Sequence, residues 1–265
     1  MSQVLDACRN VVTQLRTRVT SEPGGWFDWV PITWQAQSEA LSNSSADALS
    51  LARYGLSRTA TASALGVLRF VAETRCLIDW LLDLPSARTS RSLGLALREI
   101  SDCRRNLSAT PKDPDAKADF DRFLRPGVEA LINELDDLDR RVRDRAASTG
   151  TEPELPPKTL QAQMDKLFQD DTAYRLFSDL GSHVGLGLAY IVGAPDDPRR
   201  ESRDILLRAF CLGFGVAVQL EIAELVADAL GQVGAVSQIR SFRDGYRDLL
   251  ERVVARGYEG GLFAG

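Results

Sequence analysis

A chain of 265 residues, 44% hydrophobic and 26% charged, is long enough for one large domain or two small ones and is ordinary for a globular protein. Its net charge of −5 argues against a general nucleic-acid or anionic-membrane binder, which needs a basic face. The one histidine, His183, excludes His-rich metal centres and two-histidine zinc helices, and any Ser-His-Asp triad would have to use it.

The N-terminal stretch carries Asp6 and no apolar core, so it does not read as a secretion signal. Val4, Cys8, Val11, Val12 and Leu15 recur at helical spacing over about 3–19, and Pro23-Gly24-Gly25 ends the pattern. Three of the four tryptophans, Trp26, Trp29 and Trp34, follow within nine residues. They read either as a loop stapled to the core by large rings or as an aromatic rim on a ligand pocket. An Ala- and Ser-rich helix is expected over 34–54, with Gly55 as its stop and Ser57 as the cap of the next.

The helix expected over 58–84 is the most apolar of the first half, and Pro85 ends it. At 100° per residue, Arg69, Glu73, Cys76, Trp80 and Asp83 share one stripe, opposite Phe70, Val71, Leu77, Ile78 and Leu81. Arg69 and Glu73 are spaced to pair. The stripe is either a semi-buried ion pair that fixes packing or a polar ligand spot inside the bundle. A further helix spans 87–107, and Thr110 to Asp115 forms a turn. A charged helix over 115–147 follows, with an interruption expected at Pro126-Gly127. The signs alternate through 136–145, as on a solvated helix face.

Residues 148–157 combine turn formers and prolines and read as a linker or lid. Beyond them, Tyr174, Ser178 and Ser182 fall at i, i+4 and i+8, with Arg175, Asp179 and His183 one residue further round. Asp179 is spaced to hold His183 in one tautomer. The histidine is then either a satisfied structural residue or a general base. The helices expected last cover 199–230 and 237–256. The first of these is the most apolar stretch and reads as a buried helix rather than a membrane span, with Gly213 and Gly215 permitting close packing.

Strand alternation is nearly absent, so the expected fold is an all-α bundle of about eight to nine helices. It forms a single domain over 1–256, with room for a sub-boundary near 148–158, and a flexible tail over 257–265. The widely spaced cysteines Cys8, Cys76, Cys103 and Cys211 lack Cys-x-x-Cys spacing and read as reduced core thiols of a cytoplasmic protein, not as a metal site. No Walker A, dinucleotide-binding or nucleophile-elbow motif calls for a cofactor.

Arg69-x-x-x-Glu73 with Trp80-Leu-Leu-Asp83 and Arg91, then Pro156-x-x-Thr159 and Tyr174-Arg-Leu-x-Ser178-x-x-x-Ser182-His183, resembles a family of bacterial all-helical proteins of undefined activity. The resemblance covers about 62–190 and implies a helical fold. More remotely, Arg and His on one helix is similar to the HEPN ribonucleases of toxin and phage-defence systems, which build their site across a dimer. That likeness implies Arg175 as a phosphate-charge stabiliser and His183 as base. Here seven residues lie between the two rather than the usual shorter spacing, and Leu176 replaces a polar residue.

Three functions follow as expectations. The first is a protein that binds a small ligand or a protein partner at Arg69, Glu73, Trp80, Tyr174, Ser178 and Asp179. The second is a HEPN-like, metal-independent ribonuclease using Arg175 and His183, as a homodimer. The third is a small-molecule enzyme in which Glu73 or His183 moves a proton.

Overall fold

The computed structural model describes residues 26–27, 30–57, 61–157 and 196–259. They are all-helical apart from one two-residue antiparallel ladder, β1 (Trp26–Phe27) with β2 (Val30–Pro31). The helices are α1 (Trp34–Ser57), α2 (Thr61–Leu82), α3 (Arg88–Leu107), α4 (Pro114–Asp119), α5 (Arg125–Thr149), α6 (Arg200–Ala229) and α7 (Val233–Glu259). A short 3-10 turn, Pro85–Ala87, leads into α3.

The chain divides into two compact units. Among the described residues, the first contains 38–57, 61–82 and 196–259, so it holds most of α1, with α2, α6 and α7. The second contains 26–27, 30–37 and 83–157, so it holds the ladder, the first turn of α1, and α3 to α5.

In the first unit α6 packs against α2 and α7. Leu68, Val71, Ile78 and Leu81 of α2 are fully buried, as are Leu220, Ile222 and Val226 of α6. α6 can lie close because Gly215 has no side chain. A Cβ there would sit 2.5 Å from Leu68 Cδ2 and 2.7 Å from Leu49 Cδ1. A polar row also runs inside this unit. Ser38, Ser42 and Ser45 of α1 are buried, and the Ser45 hydroxyl donates to Gln219 Oε1 on α6 at 2.7 Å. Two charged ties cross between helices. Arg75 Nε donates to Glu221 at 3.0 Å, and Glu224 accepts from Arg240 at 2.6 Å and Arg243 at 2.5 Å. α6 is long and apolar enough to cross a membrane by length and composition, and half of its most apolar stretch is buried.

Several local expectations are corrected. α1 does not stop at Gly55 but runs to Ser57, whose hydroxyl donates back to Tyr54 O at 2.7 Å instead of capping α2. Leu49, Ala52 and Leu56 are buried along one face, and burying Leu56 outweighs the ~1 kcal/mol that a helical glycine costs. The break in the charged helix falls at Phe120–Leu124, a π-helical turn, and not at Pro126-Gly127. Pro126 lacks the N–H that would pair with the carbonyl four residues back. The chain widens just before it, so that the Arg125 N–H reaches Phe120 O, and Pro126 enters α5 in its first turn. Phe70 lies on the face expected to be apolar and packed, yet it is 43% exposed.

The second unit has a compact core of Leu93, Ala96, Leu97 and Ile100 from α3 against Leu135, Leu138, Val142 and Ala146 from α5, with Ile32 added from the segment before α1. These are the i, i+3, i+4 positions of both helices. α5 ends at Gly150 in the left-handed region, φ 61°, where its N–H reaches Ala146 and Ala147 carbonyls.

The residues after α5, expected to be a linker or lid, lie strapped along α3. Glu154 N–H donates to Ser90 O at 3.1 Å, and the Ser90 hydroxyl donates to Glu152 O. Arg91, 6% exposed, pairs through Nε with Glu154 at 3.0 Å and through Nη1 with Asp83. Gly94 lets the strap come this near, since a Cβ there would fall 1.8 Å from Glu154 O.

Candidate functional site

One recess lies in the second unit. It is a cavity of about 230 Å³, small beside drug-sized pockets. Three stretches of chain build it. Ile32, Thr33, Trp34 and Gln35 come from the entry to α1, Thr89, Ser92 and Leu93 from the first turns of α3, and Arg145 and Thr149 from the end of α5.

Each wall has a local cause. Thr33 begins α1 by accepting Ala36 N–H on its hydroxyl at 3.3 Å, which presents Trp34 and Gln35 in the first turn. The Arg88 guanidinium lies 5.0 Å from the Trp34 ring centroid, a cation–π contact that orients the half-buried ring. Gln37 is 1% exposed and ties the α1 entry to α3. Its Nε2 donates to Ser92 O at 2.6 Å and to Pro31 O at 3.1 Å. The Ser92 hydroxyl donates to Thr89 O at 2.9 Å, and the Thr149 hydroxyl to Arg145 O at 2.9 Å. The cavity therefore has an aromatic wall, an apolar floor at Ile32 and Leu93, hydroxyls on two sides and one cation at its edge.

No family model, curated protein or solved structure matches this chain.

The residues expected to form a site divide as follows. Arg69 and Glu73 do pair, Nε to Oε1 at 2.8 Å, with about a third of each side chain exposed. Trp80, on the same helix, is 8% exposed. None of the three lines the cavity. Asp83 leaves their stripe, because α2 ends at Leu82 and its carboxylate turns to Arg91 in the second unit. Arg75, also on α2, is held between Asp79 and Glu221. Tyr174, Arg175, Ser178, Asp179 and His183 lie outside the described residues.

Of the aromatic segment, Trp34 lines the cavity. Arg145, Arg88 and Gln37 were not singled out from sequence. A signal for Arg145 was there: the residues three and four positions away are Arg141, Val142, Ser148 and Thr149, so its own helix offers no carboxylate.

Among the described residues no cluster of three or more His, Cys, Asp or Glu could hold a metal ion. Burial pushes the thiols of Cys76 and Cys211 up to about 12, which keeps them protonated and unreactive at neutral pH. Cys103, expected in the core, is exposed on α3. Iodoacetamide at neutral pH should therefore alkylate Cys103 in the native protein and reach Cys76 and Cys211 only after unfolding. Peptide mass spectrometry distinguishes these outcomes, and rapid native labelling of Cys211 would contradict the packing of α6.

Proposed function

We propose that this all-helical chain, of eight to nine helices in total, is a cytoplasmic binding protein for a small molecule held in the cavity at Trp34. One observation carries the reading: a recess of about 230 Å³ in the second unit, lined by an aromatic ring, hydroxyls and a cation. Concave sites with an apolar body and a few fixed polar groups are the usual form of a ligand site. The support beneath it agrees, since Gln37 and the α3–α5 core hold the walls at fixed spacing. Nothing among the described residues favours the ribonuclease or proton-transfer readings over this one.

The test is a fragment set followed by thermal shift and tryptophan emission. Hits should shift the emission of the native protein but not of Trp34→Phe. They should also be lost in Thr89→Trp, which fills the mouth from an exposed position. Fragments that bind Thr89→Trp as well as they bind the native chain would place the site elsewhere.

A further inference from the structure

We infer that the cavity selects a small anion with a flat apolar body, in chemical terms an aromatic or unsaturated carboxylate. The inference rests on the ligand-binding reading above and adds the charge and shape of what is bound.

The charge follows from the lining. Arg145 is the ionisable side chain that lines the cavity, and no carboxylate does. Two other arginines on α5 are paired within the helix: Arg140 with Asp137 at 3.0 Å, and Arg143 with Asp139 at 2.6 Å. Arg145 faces Arg141 and Thr149 at those spacings, and among the described residues its guanidinium has no partner. A planar guanidinium with free donors fits a carboxylate through two parallel hydrogen bonds.

The backbone adds to this field. α1 is 24 residues long, enters at the cavity through Trp34 and Gln35, and has no acid in its first turn. The positive end of its dipole is therefore not offset by its own side chains. The opposing negative end of α5 is muted, because the carbonyls of Arg145, Ala146 and Ala147 already accept from Ser148, Thr149, Gly150 and Thr151.

The shape follows from Trp34. Its ring offers a flat surface, Ile32 and Leu93 supply apolar contact, and the volume limits the guest to metabolite size. The Thr89 hydroxyl stands at the same recess to complete the polar contacts.

Three isosteric probes decide the matter on the full chain: benzoate, neutral benzamide and cationic benzamidinium, titrated by Trp34-dependent emission. Benzoate should bind roughly five- to tenfold more tightly than benzamide, and benzamidinium the most weakly. Arg145→Gln should erase the preference without lowering the melting temperature, since no ion pair is broken. Arg145→Lys should keep part of it, and rising salt should narrow it. Equal binding of benzoate and benzamide, or benzoate affinity unchanged in Arg145→Gln, overturns the anion assignment and leaves the pocket in place. If no probe perturbs Trp34 at millimolar concentration, the ligand-binding reading fails and the assignment fails with it.

Discussion

Replacing Gly94 by Ala should destabilise the second unit by about 2–3 kcal/mol and loosen the strap over 151–157. The sign is informative. A glycine inside an exposed helix costs ~1 kcal/mol relative to alanine, so Gly→Ala there ordinarily stabilises. At Gly94 the added methyl would meet Glu154 O at 1.8 Å and Glu154 C at 2.4 Å, both of them backbone atoms. The strap has little freedom to retreat. It is bonded to Ser90 through Glu152 and Glu154, gripped by Arg91, and stiffened by Pro153, Pro156 and Pro157. Urea unfolding reports the energy, and limited proteolysis with a Glu-specific protease reports the strap, which should become cleavable after Glu154. Gly66→Ala, on α2 with nothing within 4 Å of the added atom, is the control and should be neutral or stabilising. A Gly94→Ala protein as stable as the native chain would mean that the strap is not seated as described.

The second large effect belongs to the first unit. Leu68→Ala should cost about 3 kcal/mol, because Leu68 is fully buried and its removal leaves a cavity between α2 and α6. Gly215→Ala should cost about 1–2 kcal/mol by pressing on Leu68 and Leu49. The two changes act on one volume, with opposite signs, so the double variant should be more stable than the sum of the single losses by about 1 kcal/mol or more. A double-mutant cycle in urea measures this. Strict additivity would show that α6 does not approach α2 through Gly215.

Much of the local architecture was legible in the residues. Apolar positions at helical spacing placed α3, α5 and α6 to within a few residues, since the period of a buried face depends on backbone geometry alone. The Arg69–Glu73 pair was legible for the same reason, because both partners sit on one helix four residues apart. Ambiguity arose wherever a local signal competed with packing. Gly55 looked like a stop, but Leu56 had a core to reach. Asp83 looked like the end of a stripe, but the helix ended one residue earlier and Arg91 took the carboxylate. Cys103 and Phe70 have apolar character and yet face outward, as a helix surface without a neighbour allows.

The residues alone therefore specified the helical class, most helix positions and the pairs within one helix, all of which depend on short-range periodicity. The folded units determined which of those surfaces meet. Trp34, Ser92 and Arg145 are separated by long stretches of chain and share a cavity because α3 packs on α5 and Gln37 ties the start of α1 to α3. Likewise, Gly94 and Gly215 are ordinary helix glycines in sequence and become close-approach points only where another segment lies against them. Such contacts depend on distance in space, which hydrophobic period and residue spacing do not encode.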